Sequence, residues 1–282
     1  MKFHLVSIEP PEFAHAGAWY ELAELMLHGL LRAGFDCTTD VNKFAPNRLN
    51  IVFGIHRITT DVERLIPKNT ILFNTEQLVI PSKVFNHQAY MRIRLLANKG
   101  YKFIDYSSAN IPILESWGAS EVVLMPLGYV PELDRLRKTK PLFDLLFFGG
   151  RNGRRNELLN EINNIGVNLH YLYGVYGQAR DHTIEQSKVV LNLHLYESEI
   201  FELVRVNYLM HNRFCVLTEV NETTKIEEEL KELFVCSPRE NLASAALDLV
   251  EKPDLIAQKA FLAYEWLRSR PQELIIKTIF KQ

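Results

Sequence analysis

Short apolar runs alternate along this chain with longer stretches in which apolar side chains recur every three or four positions. Lys2–Ile8, Asn50–Ile55, Thr70–Asn74, Lys102–Tyr106 and Glu121–Met125 are runs of the first kind, rich in Val, Ile, Leu and Phe. Runs that short and that apolar suit strands buried on both faces. Ala18–Ala33 is of the second kind. Trp19, Leu22, Leu25, Met26 and Leu30 fall on one face of a helix, and Gly34 stands where a C-cap belongs. Strands buried on both faces and separated by helices predict a parallel, doubly wound sheet.

The pattern then restarts. Leu142–Phe148 predicts a strand, Asn156–Ile165 a helix and Asn168–Tyr173 a strand. Ala179–Gln186 reads as a short helix, Lys188–His194 as a strand and Ile200–Met210 as a helix. Phe214–Thr218 and Leu233–Cys236 are strands, and Asn241–Glu251 and Leu255–Arg270 are closing helices. The stretch between Gly128 and Lys140 carries the Gly, Pro and charges of a join. The expected fold class is α/β, with two Rossmann-like doubly wound domains facing a central cleft. Residues 1–133 form the first domain and 134–282 the second, the last helix being free to pack back on the first. Ligands of such sheets bind beyond the carboxyl ends of the strands.

With 282 residues, 47% of them hydrophobic, the chain has material for two real cores. A net charge of −2 supplies no overall field that would draw nucleic acid or an acidic membrane. Cys37, Cys215 and Cys236 are odd in number and form no CxxC, and Cys215 in its apolar run reads as a core thiol. The opening MKFHLVSIEPPEF is interrupted by Glu9, Pro10 and Pro11, so it reads as a first strand and not as a signal peptide. No run approaches the about 20 apolar residues needed to span a bilayer. A cytoplasmic protein is expected.

Two places carry candidate chemistry. In FFGGRNGRR, residues 147–155, a buried strand ends in Gly149 and Gly150 and a helix begins. Glycines admit a ligand close to the backbone, a helix start offers free amides, and Arg151, Arg154 and Arg155 offer forked donors for phosphate oxygens. Neither GK[ST] nor GxGxxG is present, and solvated arginines at a helix start are the plain alternative. In the second place the strand ending at His194 runs into Glu197, Glu199, Ile200, Phe201, Glu202 and Arg205. With a helix starting near residue 198, Glu199 and Glu202 would lie in its first turn, as caps or as acceptors for ribose hydroxyls. Glu202 and Arg205 would share a face and pair.

The segment 187–219, SKVVLNLHLYESEIFELVRVNYLMHNRFCVLTE, resembles the donor-binding segment of GT-B glycosyltransferases, particularly the bacterial CgeB-like and group 1 proteins. PLGYVPEL, residues 126–133, resembles the segment ending their first domain, and LFFGGRNGRRNELLNEI their first strand–loop–helix of the donor domain. The large retaining group carries a pair of glutamates whose places here fall to Glu199 and Asn207. Glu202 is then the nearer substitute for the ribose contact. The resemblance implies a glycosyltransferase that moves a sugar from a nucleotide-diphosphate sugar to an acceptor hydroxyl, in surface glycan or glycoconjugate synthesis. It implies no metal and no cofactor, the nucleotide sugar being a co-substrate, and a glycan or glycoconjugate acceptor. Peripheral membrane association is compatible with it. The absence of a DxD pair argues against the metal-dependent GT-A fold.

On this reading Tyr173, Gly174 and Tyr176 wall the base, Arg180 lies near phosphate or acceptor, and His194 borders the donor. His15, His56, Glu76 and Asp105 stand at strand ends or helix starts of the first domain, where a general base would meet the acceptor. A nucleotide-sugar epimerase or phosphorylase on the same frame, or a non-catalytic nucleotide-sugar-binding or scaffold protein, would share these features.

Overall fold

The computed structural model describes residues 1–78, 87–196 and 199–280. The chain divides into two compact units, residues 1–130 with 270–282, and residues 131–269.

The first unit is built on strands β1 (Lys2–Ser7), β2 (Asp36–Val41), β3 (Leu49–Phe53), β4 (Thr70–Asn74), β5 (Lys102–Asp105) and β6 (Glu121–Leu124). All pair in parallel in the order β2-β1-β3-β4-β5-β6. Helices α1 (Tyr20–Arg32), α2 (Thr60–Arg64), α3 (His87–Asn98) and α4 (Ile111–Ser116) connect them. The apolar runs lie in the interior: Phe3, Val6, Ile51, Val52, Phe53, Leu72, Phe73, Phe103 and Ile104 are fully buried. Burial of runs like these supplies most of the drive to form the sheet. The predicted long helix begins as a 3-10 turn, Ala16–Trp19, and continues as α1. Gly34 ends it at φ +90°, with Phe35 N donating to Leu30 O at 3.0 Å, a left-handed cap that a side chain would strain.

Strand β2 has no counterpart in the sequence reading. Its residues, DCTTDV, are mostly exposed on the sheet edge and carry no apolar run. Pairing with β1 and the fork of Arg48 on Asp36, at 2.8 and 3.1 Å, hold it in place.

The second unit contains β7 (Phe143–Phe148), α5 (Gly153–Asn164), β8 (Leu169–Leu172), α6 (Gly177–Glu185), β9 (Ser187–Asn192) and α7 (Leu203–His211). β10 (Cys215–Glu219), α8 (Glu228–Lys231), β11 (Val235–Ser237), α9 (Leu242–Val250) and α10 (Pro253–Arg268) complete it. The strands are parallel in the order β11-β10-β9-β7-β8. One core under this sheet joins Leu145, Phe147, Val189, Leu191 and Cys215 to Leu158 and Ile162 of α5 and Leu242 and Ala246 of α9. Cys215 is the core thiol its apolar run suggested, and all three cysteines are free.

The closing helix expected at Leu255–Arg270 is α10, and beyond Pro271 a further helix that the sequence reading did not place, α11 (Gln272–Ile279), follows. α11 packs on α1 in the first unit, where Gln272 N donates to Tyr129 O at 2.9 Å. Among the described residues no helix is long and apolar enough to cross a membrane.

Candidate functional site

In the second unit β7 and β9 lie side by side, and the chain leaves them toward opposite edges of the sheet. Such a divergence opens the crevice where doubly wound sheets bind ligands. The loop after β7, with Gly149 and Gly150, flanks it on one side, and the residues 193–196 and 199–202 that follow β9 flank it on the other.

Gly149 has φ +141°, and a Cβ there would stand 3.0 Å from Arg205 Nη2 and 3.6 Å from Arg155 Nη1. The glycine thus lets two guanidinium groups lie against the backbone. Helix α5 opens behind Asn152, whose Oδ1 accepts from Arg155 N at 2.9 Å as an N-cap. The same side chain donates to Leu195 O at 3.0 Å and ties the two loops together.

Arg154 and Arg155, expected to face phosphate, are turned inward. Arg155 is 1% exposed. It donates to Gly150 O at 2.7 Å, His194 O at 3.2 Å, the Leu193 carbonyl, and Glu202 Oε1 at 2.8 Å. Burial pushes its guanidinium down to about 10, against the opposing pull of Glu202. Arg154 forks onto the fully buried Glu219 and lies 3.6 Å from Glu199. Burial alone would raise Glu219, but its bonds to Arg154 and Asn221 outweigh that and hold it below the usual carboxylate range. Glu202 behaves likewise: burial raises it, and Arg205, Arg155 and His194 together bring it down.

The carboxylates therefore neutralise arginines and do not cap a helix. α7 starts only at Leu203, with Glu202 at its N-cap position making no side-chain cap bond. The segment before it is extended instead. Glu199 sits at φ +48°, Ile200 bridges in parallel to Lys225, and Phe201 N donates to Lys225 O at 3.2 Å. Ile200 and Phe201, read as donor contacts, are buried, and Phe201 stacks on Phe234. Glu199 accepts from Asn221, Thr223 and Thr224 at 3.0, 2.6 and 3.3 Å. Glu202 and Arg205 do pair, at 2.6 Å. Glu197 lies outside the described residues.

Arg180, expected near phosphate or acceptor, is also interior. It bonds Asp181 at 2.6 Å, and its guanidinium lies between the Phe148 and Tyr208 rings, 5.7 and 4.9 Å from their centres. His194 is 1% exposed, with Nε2 at 3.2 Å from Thr224 Oγ1, and burial lowers its pKa. Tyr173 is exposed after β8, Gly174 forms the turn beyond it, and Tyr176 is half-buried at the N-cap of α6.

Two further arginines stand at this corner, Arg205 partly buried and Arg151 exposed. Arg205 donates to Asn192 Oδ1 at 2.9 Å and lies over Phe148. Arg151 is exposed, lies 4.8 Å over the Tyr171 ring and donates to Asn156. Tyr171 in turn donates to Gly149 O at 3.0 Å, which makes it part of the same corner. Among the described residues no group of His, Cys, Asp and Glu is arranged to hold a metal.

In the first unit the switch lies between β1 and β3, and the residues expected there meet in part. His56 follows β3 in a 3-10 turn, 3.4 Å through Nδ1 from Glu76 Oε1 after β4, with no hydrogen-bond geometry between them. Trp19 and Phe13, from the β1 side, meet the His56 ring edge-on at 5.6 and 6.0 Å. Burial lowers the His56 pKa, Glu76 opposes the shift and Arg57 reinforces it. His15 sits beside Phe13, 5.7 Å between ring centres.

Asp105 is different. It is fully buried, accepting from Asn74 at 2.7 Å, Asn110 at 3.0 Å and Ser107 N at 2.8 Å. Asn74 and Asn110 also donate to Glu76 O at 2.8 and 3.1 Å, so Asp105 orders the Glu76 loop and is too enclosed to serve as a base. Burial drives its pKa up to about 7. Asn74, Asn110, Phe13 and Arg57 were not singled out from sequence. Each becomes visible only when strand ends distant in the chain are set side by side.

The fold is that of the GT-B class of two-unit α/β proteins. T4 phage BGT bound to its UDP-glucose substrate is similar over all of both chains, with a TM-score of 0.64 at 12% identity. AviGT4, a glycosyltransferase involved in avilamycin A biosynthesis, matches 99% of this chain and 96% of its own, with a TM-score of 0.59 at 13% identity. TarM matches 84% of this chain but only 55% of its own, with a TM-score of 0.56 at 13% identity. No family model matches the sequence. Two uncharacterized proteins of Acanthamoeba polyphaga mimivirus are relatives. R358 is 24% identical over 249 residues, 86% of this chain and 85% of its own, and L137 is 30% identical over 157 residues, 53% of this chain. The match to L137 spans only 20% of that protein's length.

Proposed function

We propose that this protein is a glycosyltransferase that moves a sugar from a nucleotide-diphosphate sugar to an acceptor hydroxyl in glycan or glycoconjugate synthesis. The observation that carries the reading is the Arg205 guanidinium lying on Gly149 at the switch point of the second unit, beside the capped start of α5. Arg205, Arg151 and the first amides of α5 would hold the diphosphate, where charge grows as the sugar departs. Arg154 and Arg155 act behind them. Paired with Glu219 and Glu202, they tie the start of α5, next to Arg151, to the end of β10 and to the start of α7, which carries Arg205. The likeness in fold to BGT, described with UDP-glucose, supports a nucleotide-sugar donor.

Neutralisation of the leaving diphosphate by arginines and amides makes the reaction metal-independent in this account, with no cofactor beyond the donor. The first unit supplies the acceptor side, with His56 and Glu76 as the groups placed to take a proton. Three free thiols support a reducing, cytoplasmic setting.

A thermal-shift screen against nucleoside diphosphates and their sugars tests the proposal, because a ligand of the native state raises the melting temperature. One nucleotide should stand out, with the shift unchanged by EDTA. A flat response across the panel would overturn the assignment.

A further inference from the structure

Arg57 is a charged residue of the first unit to which the reaction proposed above gives no task. It directly follows His56 at the end of β3, and its guanidinium carbon lies 3.8 Å from the centre of the Phe13 ring. Its Nε is buried without a hydrogen bond, and among the described residues no carboxylate pairs with it. Arg48, Arg154, Arg155 and Arg213, by contrast, each rest on a carboxylate of their own unit. A desolvated guanidinium donor with no acceptor is costly, and structures retain one where a ligand completes it.

The neighbouring residue repeats the signal. The His56 side chain is 4% exposed, and its Nδ1 is buried without a hydrogen bond. Two consecutive residues at a strand switch point therefore carry unsatisfied polar atoms, beside a half-buried aromatic ring. A flat cation on an aromatic face, next to a histidine and a carboxylate, is suited to a ring-shaped ligand that bears an oxyanion.

We propose that the first unit binds a sugar acceptor carrying an oxyanion, a uronic carboxylate or a phosphate ester, with Arg57 holding the oxyanion beside Phe13 and the acceptor hydroxyl at His56. This rests on the glycosyl-transfer reading and names its acceptor class. In the transfer the acceptor oxygen forms the bond to the anomeric carbon, the bond from that carbon to the diphosphate breaks, and the hydroxyl proton passes to His56. The diphosphate leaves with the electron pair. Burial holds the His56 pKa down, Glu76 opposes the shift and Arg57 adds to it, which leaves the ring able to take the proton.

The test is calorimetry on the full chain with methyl β-D-glucuronide, glucose 6-phosphate, neutral methyl β-D-glucoside and inorganic phosphate, each beside UDP. One or both anionic sugars should bind at least about ten-fold more tightly than the neutral glucoside, the size expected of bonds to a charged donor. The preferred one identifies the oxyanion as carboxylate or phosphate. Arg57→Gln should abolish the preference, Arg57→Lys should restore part of it, and both variants should melt and bind UDP as the parent does. Equal binding of the neutral glucoside, an unchanged preference in Arg57→Gln, or phosphate alone binding as well as its sugar ester would overturn the proposal. So would a loss of UDP affinity in Arg57→Gln equal to the loss for the sugar. Failure of UDP to bind while the anionic sugar still does would sink the donor reading and leave this acceptor site standing.

Discussion

Arg155 donates through Nη2 to Glu202 Oε1 at 2.8 Å, joining the first turn of α5 to the start of α7. With Arg205 on the other oxygen of Glu202, one carboxylate serves two guanidinium groups. Removing the carboxylate leaves Arg155 charged and buried, whereas removing Arg155 leaves Glu202 still paired with Arg205. Glu202→Ala should therefore cost about 3–5 kcal/mol, the range for a broken buried pair. Urea unfolding checks this, and a loss under 1 kcal/mol, on the order of a surface pair, would show the contact to be dispensable.

Gly149→Ala should disturb binding as well as stability. The added Cβ meets Arg205 Nη2 at 3.0 Å, in a backbone conformation that side chains rarely adopt. A stability loss of about 1–3 kcal/mol is expected from the strain. Nucleotide affinity should fall with it because Arg205 is displaced. Calorimetry showing parental affinity would separate Gly149 from the site.

Asp105 makes stability depend on pH. Its folded pKa, about 7, lies above the ordinary value of 3.8 because burial disfavours the charge. The folded state thus holds the proton more tightly, so its contribution is full below the unfolded value and lost as pH rises through about 7. Denaturant midpoints should decline as pH rises from the ordinary value of 3.8 up to about 7 and level off above it. Asp105→Asn should flatten that decline. An unchanged profile in the variant would remove Asp105 as its source.

The acid limb of turnover should belong to His56. Burial sets its pKa below the ordinary value, so the ring is neutral and able to accept a proton near neutrality. Activity is then lost as pH falls through the depressed pKa. Glu76 raises that value, so Glu76→Gln should move the acid limb to lower pH while reducing kcat. A pH–rate profile with the limb unmoved would exclude the pair as the base.

The second half was legible because each of its strands is an apolar run closed by a polar loop, from Leu145–Phe147 to Val189–Leu191. Strand β2 was not, since an exposed edge strand of Asp, Cys and Thr carries no apolar run or amphipathic signature. The helix expected from Ile200 begins later, at Leu203, for a related reason. Ile200 and Phe201 are apolar because they pack beside the Lys225 strand pairing and Phe234, not because they belong to a helix face. Sequence marked the basic loop at Arg151–Arg155 but not the direction of its side chains. Arg154 and Arg155 turn toward Glu219 and Glu202, distant in the chain, which the end of β10 and the start of α7 bring to them.

Titration of UDP into the full chain, parent beside Arg205→Gln, tests the central claim most directly. Arg205→Gln leaves Glu202 paired with Arg155, so the variant should fold as the parent does. The account predicts one UDP per parent chain and an affinity at least about ten-fold weaker in the variant, as for a lost charge-assisted bond. Equal affinity in the two proteins, or no heat from UDP or any other nucleoside diphosphate, would contradict it.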